Sequence, residues 1–180
     1  MTIELFSSRS IWTMVHGIVL GGGALMALFA ALFSLRAMRG ETTGNPISPD
    51  QSRYLVWLTV GAAIVLWLAV IVGTYVTFPP YRATPPEGLT DLSHYPRSLI
   101  QSNAETRWLH SFAMETKEHM PWMAAIMATA VAYIAARYRS RLLTDRQLNT
   151  MMTTLVGICF VLVSLVSLLG VFINKVAPLD

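Results

Sequence analysis

The segment YLVWLTVGAAIVLWLAVIVGTYVTF, residues 54–78, decides the fold class of this chain. It has no Asp, Glu, Lys or Arg, and a helix of about 20 apolar residues is enough to cross the hydrocarbon core of a bilayer. Residues 11–35 and 151–173 are runs of the same kind, and residues 108–137 join a polar first half to an apolar second half. The sequence therefore predicts an all-α fold with four transmembrane helices, at approximately residues 11–35, 54–78, 108–137 and 149–173.

The composition argues against a water-soluble domain. Hydrophobic residues make up 54% of the 180 residues and charged residues 13%, whereas globular domains carry about 25% charged residues. The longest segment between predicted helices, residues 79–107, is too short to form a core of its own. We therefore expect one four-helix transmembrane domain, residues 1–180. The arginines lie near helix ends and do not line one face, which argues against a nucleic acid partner.

The distribution of basic residues predicts how the helices cross the membrane. The two short connections hold seven arginines and the other side holds five basic residues, and basic residues favour the cytoplasmic side. The sequence therefore predicts an antiparallel bundle in a bacterial inner (cytoplasmic) membrane, surrounded by the lipid bilayer. Both termini and residues 79–107 are expected on the outer side. The seven are Arg36, Arg39, Arg53, Arg137, Arg139, Arg141 and Arg146, and the five are Arg9, Arg82, Arg97, Arg107 and Lys175.

Three polar side chains are expected at one height in the membrane. Counting from the nearest arginine of a basic loop, at about 1.5 Å per residue, places His16, Tyr75 and His119 about 27–33 Å from the inner boundary. This height is the outer edge of the hydrocarbon core. Ionisable groups are costly in hydrocarbon, so this level is where we expect a functional site.

Helical spacing predicts which histidine of the third predicted helix faces the bundle. Glu115 and His119 are four residues apart and share a face, whereas His110 is nine residues from His119 and points to the opposite side. We expect the face of Glu115 and His119 to look inward, toward His16 on the first helix. His110 is expected on the outer surface.

These positions predict a b-type haem held between His16 and His119. Two imidazoles from different helices at one depth can supply both axial ligands of a haem iron, and the run Gly21-Gly22-Gly23 leaves room for a flat ring. Glu115 and Tyr75 are expected beside the ligands, and Arg82 is expected to face the charged groups of the cofactor at the outer surface. The sequence thus predicts a membrane electron-transfer subunit, a small b-type cytochrome or a quinol-interacting component of a respiratory or photosynthetic complex.

Other uses of the same residues remain open. A quinone or quinol pocket at the outer interface would use His119, Glu115, Glu118 and Tyr75, because histidine exchanges protons near neutral pH. A non-haem metal could be held by His16, Glu115 and His119. The chain could also be a cofactor-free accessory or assembly subunit of a larger membrane complex. The sequence leaves open whether the protein is an enzyme.

Two motifs carry a family resemblance. Gly73-Thr-Tyr, followed by Pro80-Tyr-Arg82, is combined with His110 and with the spacing Glu115-x-Lys-Glu-His119. This combination resembles a group of uncharacterised bacterial four-helix membrane proteins. The resemblance implies a four-helix membrane fold and assigns no cofactor or site residue.

Overall fold

The computed structural model describes residues 7–40 and 49–177. These residues contain no strand. Four of their helices are long and apolar enough to cross a membrane: α1 (Ser8–Arg39), α2 (Asp50–Tyr81), α4 (Leu109–Arg137) and α5 (Arg146–Val176). A short helix, α3 (Pro96–Ser102), lies between α2 and α4. The predicted all-α class and four membrane-length helices are confirmed, whereas the predicted location of the two termini concerns residues outside the described ranges.

The four long helices pack in a ring. Helix α1 contacts α2 and α5, and α4 contacts the same two helices. Alanines on the facing surfaces let the backbones approach closely, because a methyl side chain adds little width. They include Ala24 and Ala31 in α1, Ala62 and Ala63 in α2, and Ala124, Ala125, Ala128, Ala132 and Ala135 in α4, all of which are buried.

One end of the ring is closed by a side-chain network between α1 and α5. Arg39 donates through Nε to Oδ1 of Asn149 over 2.6 Å and through a terminal nitrogen to Oγ1 of Thr153 over 3.1 Å. Asn149 is buried and donates through Nδ2 to the carbonyl of Leu35 over 3.4 Å. We call this the arginine end. The side chains of Arg39, Asn149 and Thr153 hydrogen-bond to one another, and these bonds hold α1 against α5.

The opposite end is distinguished by π-helical segments in three of the four long helices. They are Val15–Gly21 in α1, Gly73–Thr77 in α2 and Leu109–Met114 in α4. The segment in α1 contacts α2 and α5, and the segment in α4 contacts α5. A π turn holds one more residue than an α turn, and such turns occur frequently at functional sites. We call this the histidine end.

Helix α2 continues through the Pro79-Pro80 pair, which the sequence analysis places outside the helix. Pro79 and Pro80 lie in the first turn of the α-helical stretch Phe78–Tyr81, directly after the π segment. Proline is tolerated there because the first N–H groups of a helical turn have no partner within it. The extra turn carries Tyr81 into a buried position.

Candidate functional site

The His16 ring packs against the backbone of α2 at Gly73. His16 lies in the π segment of α1 and is half-buried. A Cβ atom placed on Gly73 would lie 2.8 Å from Cε1 of His16 and 3.5 Å from each ring nitrogen. The Cε1 edge of the imidazole therefore fills the space that a side chain at residue 73 would need. Glycine at this position allows α1 and α2 to meet through the ring.

The two nitrogens of the His16 ring have different surroundings. The main-chain carbonyl of Ala69 acts on the ring. Nδ1 is buried and has no hydrogen-bond partner among residues 7–40 and 49–177. In the tautomer that carries its hydrogen on Nε2, Nδ1 has a lone pair and can accept a proton. A buried acceptor without a partner is costly, so Nδ1 is the atom at which we expect a ligand.

Lys117 reaches the same level from α4. A Cβ atom placed on Gly170 of α5 would lie 2.6 Å from Nζ of Lys117 and 3.8 Å from its Cε. The charge of Lys117 also acts on the ring of His16. One level of the bundle thus combines residues from all four long helices. We call His16, Gly73, Lys117 and Gly170 the His16–Lys117 layer.

The Lys117 ammonium has no counter-ion in the described part of the chain. Within residues 7–40 and 49–177 it forms no salt bridge or hydrogen bond. The nearby carboxylates lie elsewhere: Glu115 is exposed, and both Glu115 and Glu118 act electrostatically on Tyr81. A cation held inside a bundle without a partner is costly. The layer is therefore suited to an electron-rich group supplied by a ligand.

His119 does not face this layer. Its side chain is exposed, and its Nδ1 is 2.8 Å from the carbonyl of Glu115 in the preceding turn. Because His119 is two residues from Lys117, the two side chains leave α4 about 200° apart. The expectation that Glu115 and His119 look into the bundle is wrong, since both are exposed and Lys117 takes the inward position.

The inward stripe of α4 explains this placement. Counted from Lys117, buried residues recur after seven, eleven, fourteen and eighteen positions, a spacing that follows one face of an α-helix. These residues are Ala124, Ala128, Val131 and Ala135. The stripe is visible in the sequence and would have identified Lys117, which the sequence analysis did not select as a site residue.

Two other predicted site residues lie away from the layer. Tyr75 is two residues beyond Gly73 and is 71% exposed, so it points to the opposite side of α2. Arg82 is exposed, and its guanidinium carbon lies 5.4 Å from the centre of the Phe78 ring. Of the five predicted site residues, His16 alone belongs to the His16–Lys117 layer.

A buried tyrosine closes the histidine end. Tyr81 packs with Ile100 of α3, with Ala113 of α4 and with Leu169 of α5, the neighbour of Gly170. Its hydroxyl is 3.0 Å from Nδ1 of His110. His110 is half-buried and forms part of this cap, whereas the sequence analysis places it on the outer surface. The cap separates the layer from the loop that follows α2.

A cleft lies between α1 and α2, about one helical turn from His16 and Gly73. It has a volume of about 390 Å³ and is lined by Ser8, Arg9, Trp12, Val76, Thr77 and Pro80. Trp12 is one helical turn before His16, and Thr77 is about one turn after Gly73, so the cleft lies next to the contact between His16 and Gly73. Its volume falls in the range of small-molecule sites, about 300–1,000 Å³.

A second, apolar groove of about 400 Å³ lies between α2 and α4. Trp67 and Thr129 line it, and Trp67 Nε1 donates to Thr129 Oγ1 over 3.0 Å. The remaining lining residues are apolar: Val60, Ala63, Ile64, Leu68 and Ala132. The groove offers contact area for a hydrocarbon chain and few polar groups for a headgroup.

The described residues do not assemble the predicted metal sites. Among them, no group of three or more His, Cys, Asp or Glu side chains could hold a metal ion, which argues against a non-haem site of His16, Glu115 and His119. A haem with two histidine ligands needs both rings on one macrocycle. His119 is exposed and does not face the layer that holds His16, so the haem between the two rings stays a prediction that requires another orientation of His119.

This chain matches no protein-family model, no curated protein and no solved structure. No relative therefore supplies a function or a site.

Replacing Gly73 tests the contact that positions His16. Gly73→Ala places a methyl group 2.8 Å from the ring, and overpacking of this kind destabilises proteins by about 1–3 kcal/mol. We expect a lower midpoint of thermal unfolding in detergent, measured by circular dichroism. The control is Gly61→Ala in the same helix, where no atom lies within 4 Å of the added methyl. In a His16→Ala background the effect of Gly73→Ala should largely vanish, and equal effects in both backgrounds would contradict the contact.

Proposed function

We propose that this protein is a membrane electron-transfer subunit that binds the headgroup of a quinol at its histidine end. The observation that carries the proposal is Nδ1 of His16, a buried ring nitrogen without a hydrogen-bond partner in the described residues, about one helical turn from a cleft of about 390 Å³. A quinol hydroxyl can donate to this nitrogen. The cleft between α1 and α2 would admit the headgroup from the lipid.

The chemistry that these residues can serve is proton acceptance. Oxidation of a quinol to a quinone breaks two O–H bonds and releases two protons and two electrons. Neutral His16 would accept one proton at Nδ1 and release it to water at the outer side before it accepts the second. The electrons leave one at a time to a haem or an iron–sulfur cluster of a partner subunit. A larger respiratory or photosynthetic complex is therefore part of the proposal.

The proposed orientation places the histidine end on the outer side of a bacterial cytoplasmic membrane. The arginine end carries the basic connections, which favour the cytoplasm. An antiparallel bundle with both termini outside then releases quinol protons to the outer side. Electron transfer in such an arrangement contributes to the transmembrane proton gradient.

Two other predictions have less support from the geometry. A haem b between His16 and His119 would require a different orientation of His119, and the visible absorption spectrum of the purified protein checks for it directly. A cofactor-free accessory subunit would bind neither haem nor quinone. Saturable binding of a quinone distinguishes the proposed function from this alternative.

Quinone binding by the purified protein tests the proposal. Titration with decylubiquinone in nanodiscs should quench tryptophan fluorescence saturably, and Trp12→Phe should remove most of the signal because Trp12 lines the cleft. His16→Leu should weaken binding at least about tenfold, the usual size of one lost hydrogen bond to a desolvated partner. His94→Leu, in the exposed loop, is the matched control. No saturable binding by the unaltered protein would contradict the function.

Cysteine labelling tests the proposed orientation. In a Cys159→Ser background, Asp91→Cys should react with a membrane-impermeant maleimide on intact spheroplasts, because residue 91 is exposed in the loop after α2. Ser140→Cys, exposed in the connection between α4 and α5, should react only after the membrane is permeabilised. The reverse pattern would place the histidine end in the cytoplasm and contradict release of protons to the outer side.

A further inference from the structure

The position of the Lys117 side chain is set by helix packing and not by an ion pair with a carboxylate in the described residues. It stands in line with the buried stripe of α4, and its ammonium lies against the backbone of α5 at Gly170. A lysine stem is long enough to carry its charge toward water where the surroundings allow it. Here the ammonium lies against the backbone of α5 at Gly170, and its charge acts on the ring of His16.

Gly170 provides the space for this ammonium. Any side chain at residue 170 would begin 2.6 Å from Nζ of Lys117, so the ammonium could not keep its position. Gly73 plays the same part for the His16 ring on α2. Two glycines on opposite sides of the layer thus admit one proton acceptor and one fixed cation.

The layer is chemically asymmetric in a way that suits one class of ligand. Nδ1 of His16 accepts a proton, whereas the ammonium of Lys117 only donates hydrogen bonds. A ligand oxygen that gives its proton to His16 becomes negatively charged, and a cation at the same level stabilises that charge. Quinols and semiquinones have such oxygens.

We infer that Lys117 is a ligand-binding residue of this site, whose ammonium holds a quinone oxygen and stabilises the anionic semiquinone, and that Gly170 positions it. This inference rests on the proposed quinol function. It adds a residue from α4 and a residue from α5 to a site that His16 and the cleft place between α1 and α2. A ligand bound in this way contacts three helices, and its redox properties depend on Lys117.

The test measures quinone affinity and semiquinone yield in the full chain. Decylubiquinone is titrated into nanodiscs, and the radical is followed by electron paramagnetic resonance while redox mediators supply one electron per quinone. Lys117→Met keeps an unbranched side chain and removes the charge. Loss of a charge-assisted hydrogen bond should weaken binding about tenfold or more and lower the maximal semiquinone signal by a similar factor. Lys175→Met, at the exposed end of α5, should leave both unchanged.

Gly170→Ala keeps the charge and moves it. The added methyl meets the far end of a flexible side chain, so the ammonium should retract while the bundle stays folded. We expect a semiquinone signal reduced toward that of Lys117→Met. The control in the same helix is Gly157→Ala, whose methyl would make only an ordinary contact, 4.0 Å from Cδ2 of Leu32. If Lys117→Met does not fold, comparison of Gly170→Ala with Gly157→Ala still tests the role of Lys117.

The outcomes separate the inference from the proposed function. If the unaltered protein binds quinone and Lys117→Met or Gly170→Ala binds it equally well with an equal radical signal, the role of Lys117 is overturned and the quinol function stands. If the unaltered protein binds no quinone, both are overturned. Reduced affinity and radical yield in both variants, with unchanged controls, support the inference.

Discussion

The contact between the His16 imidazole and the α2 backbone at Gly73 is the constraint on which the histidine end depends. The His16 ring of α1 occupies the space that a side chain at residue 73 of α2 would need. The two helices therefore contact each other through an ionisable side chain. The contact also fixes the direction of the ring. Nδ1 stays buried without a hydrogen-bond partner in the described residues. This contact therefore places Nδ1 of His16 near the cleft and within electrostatic reach of the Lys117 ammonium.

The two ends of the bundle use polar residues in opposite ways. At the arginine end Arg39, Asn149 and Thr153 satisfy one another and hold α1 against α5. At the histidine end Nδ1 of His16 is buried and has no hydrogen-bond partner within residues 7–40 and 49–177. Buried polar groups are normally satisfied, and departures from that rule are expected where a protein binds a ligand. The contrast within one small bundle is the reason for placing function at the histidine end.

Much of the fold could be predicted from the sequence, because charge-free segments such as residues 54–78 leave few alternatives to a transmembrane helix. Counting from the arginines also predicts that His16 and Tyr75 share a level, and His16 meets α2 at Gly73, two residues from Tyr75. The inward face of α4 was not predicted, because the charged spacing of Glu115 and His119 is more conspicuous in the sequence than the alanine stripe in line with Lys117. The π segments gave no sequence signal that we recognised. Each inserts a residue into a helical turn, which shifts the faces of the helix on either side by about 100°.

Photoaffinity labelling shows whether a ligand binds at the His16–Lys117 layer. The protein in nanodiscs would be illuminated with an azidoquinone, digested, and mapped by mass spectrometry, with and without excess unlabelled quinone. The account predicts label in residues 8–21 and 69–81, which hold the cleft and the contact of His16 with Gly73, and loss of that label under competition. Label confined to the apolar groove beside Trp67 and Thr129, or label that excess quinone does not reduce, would contradict it.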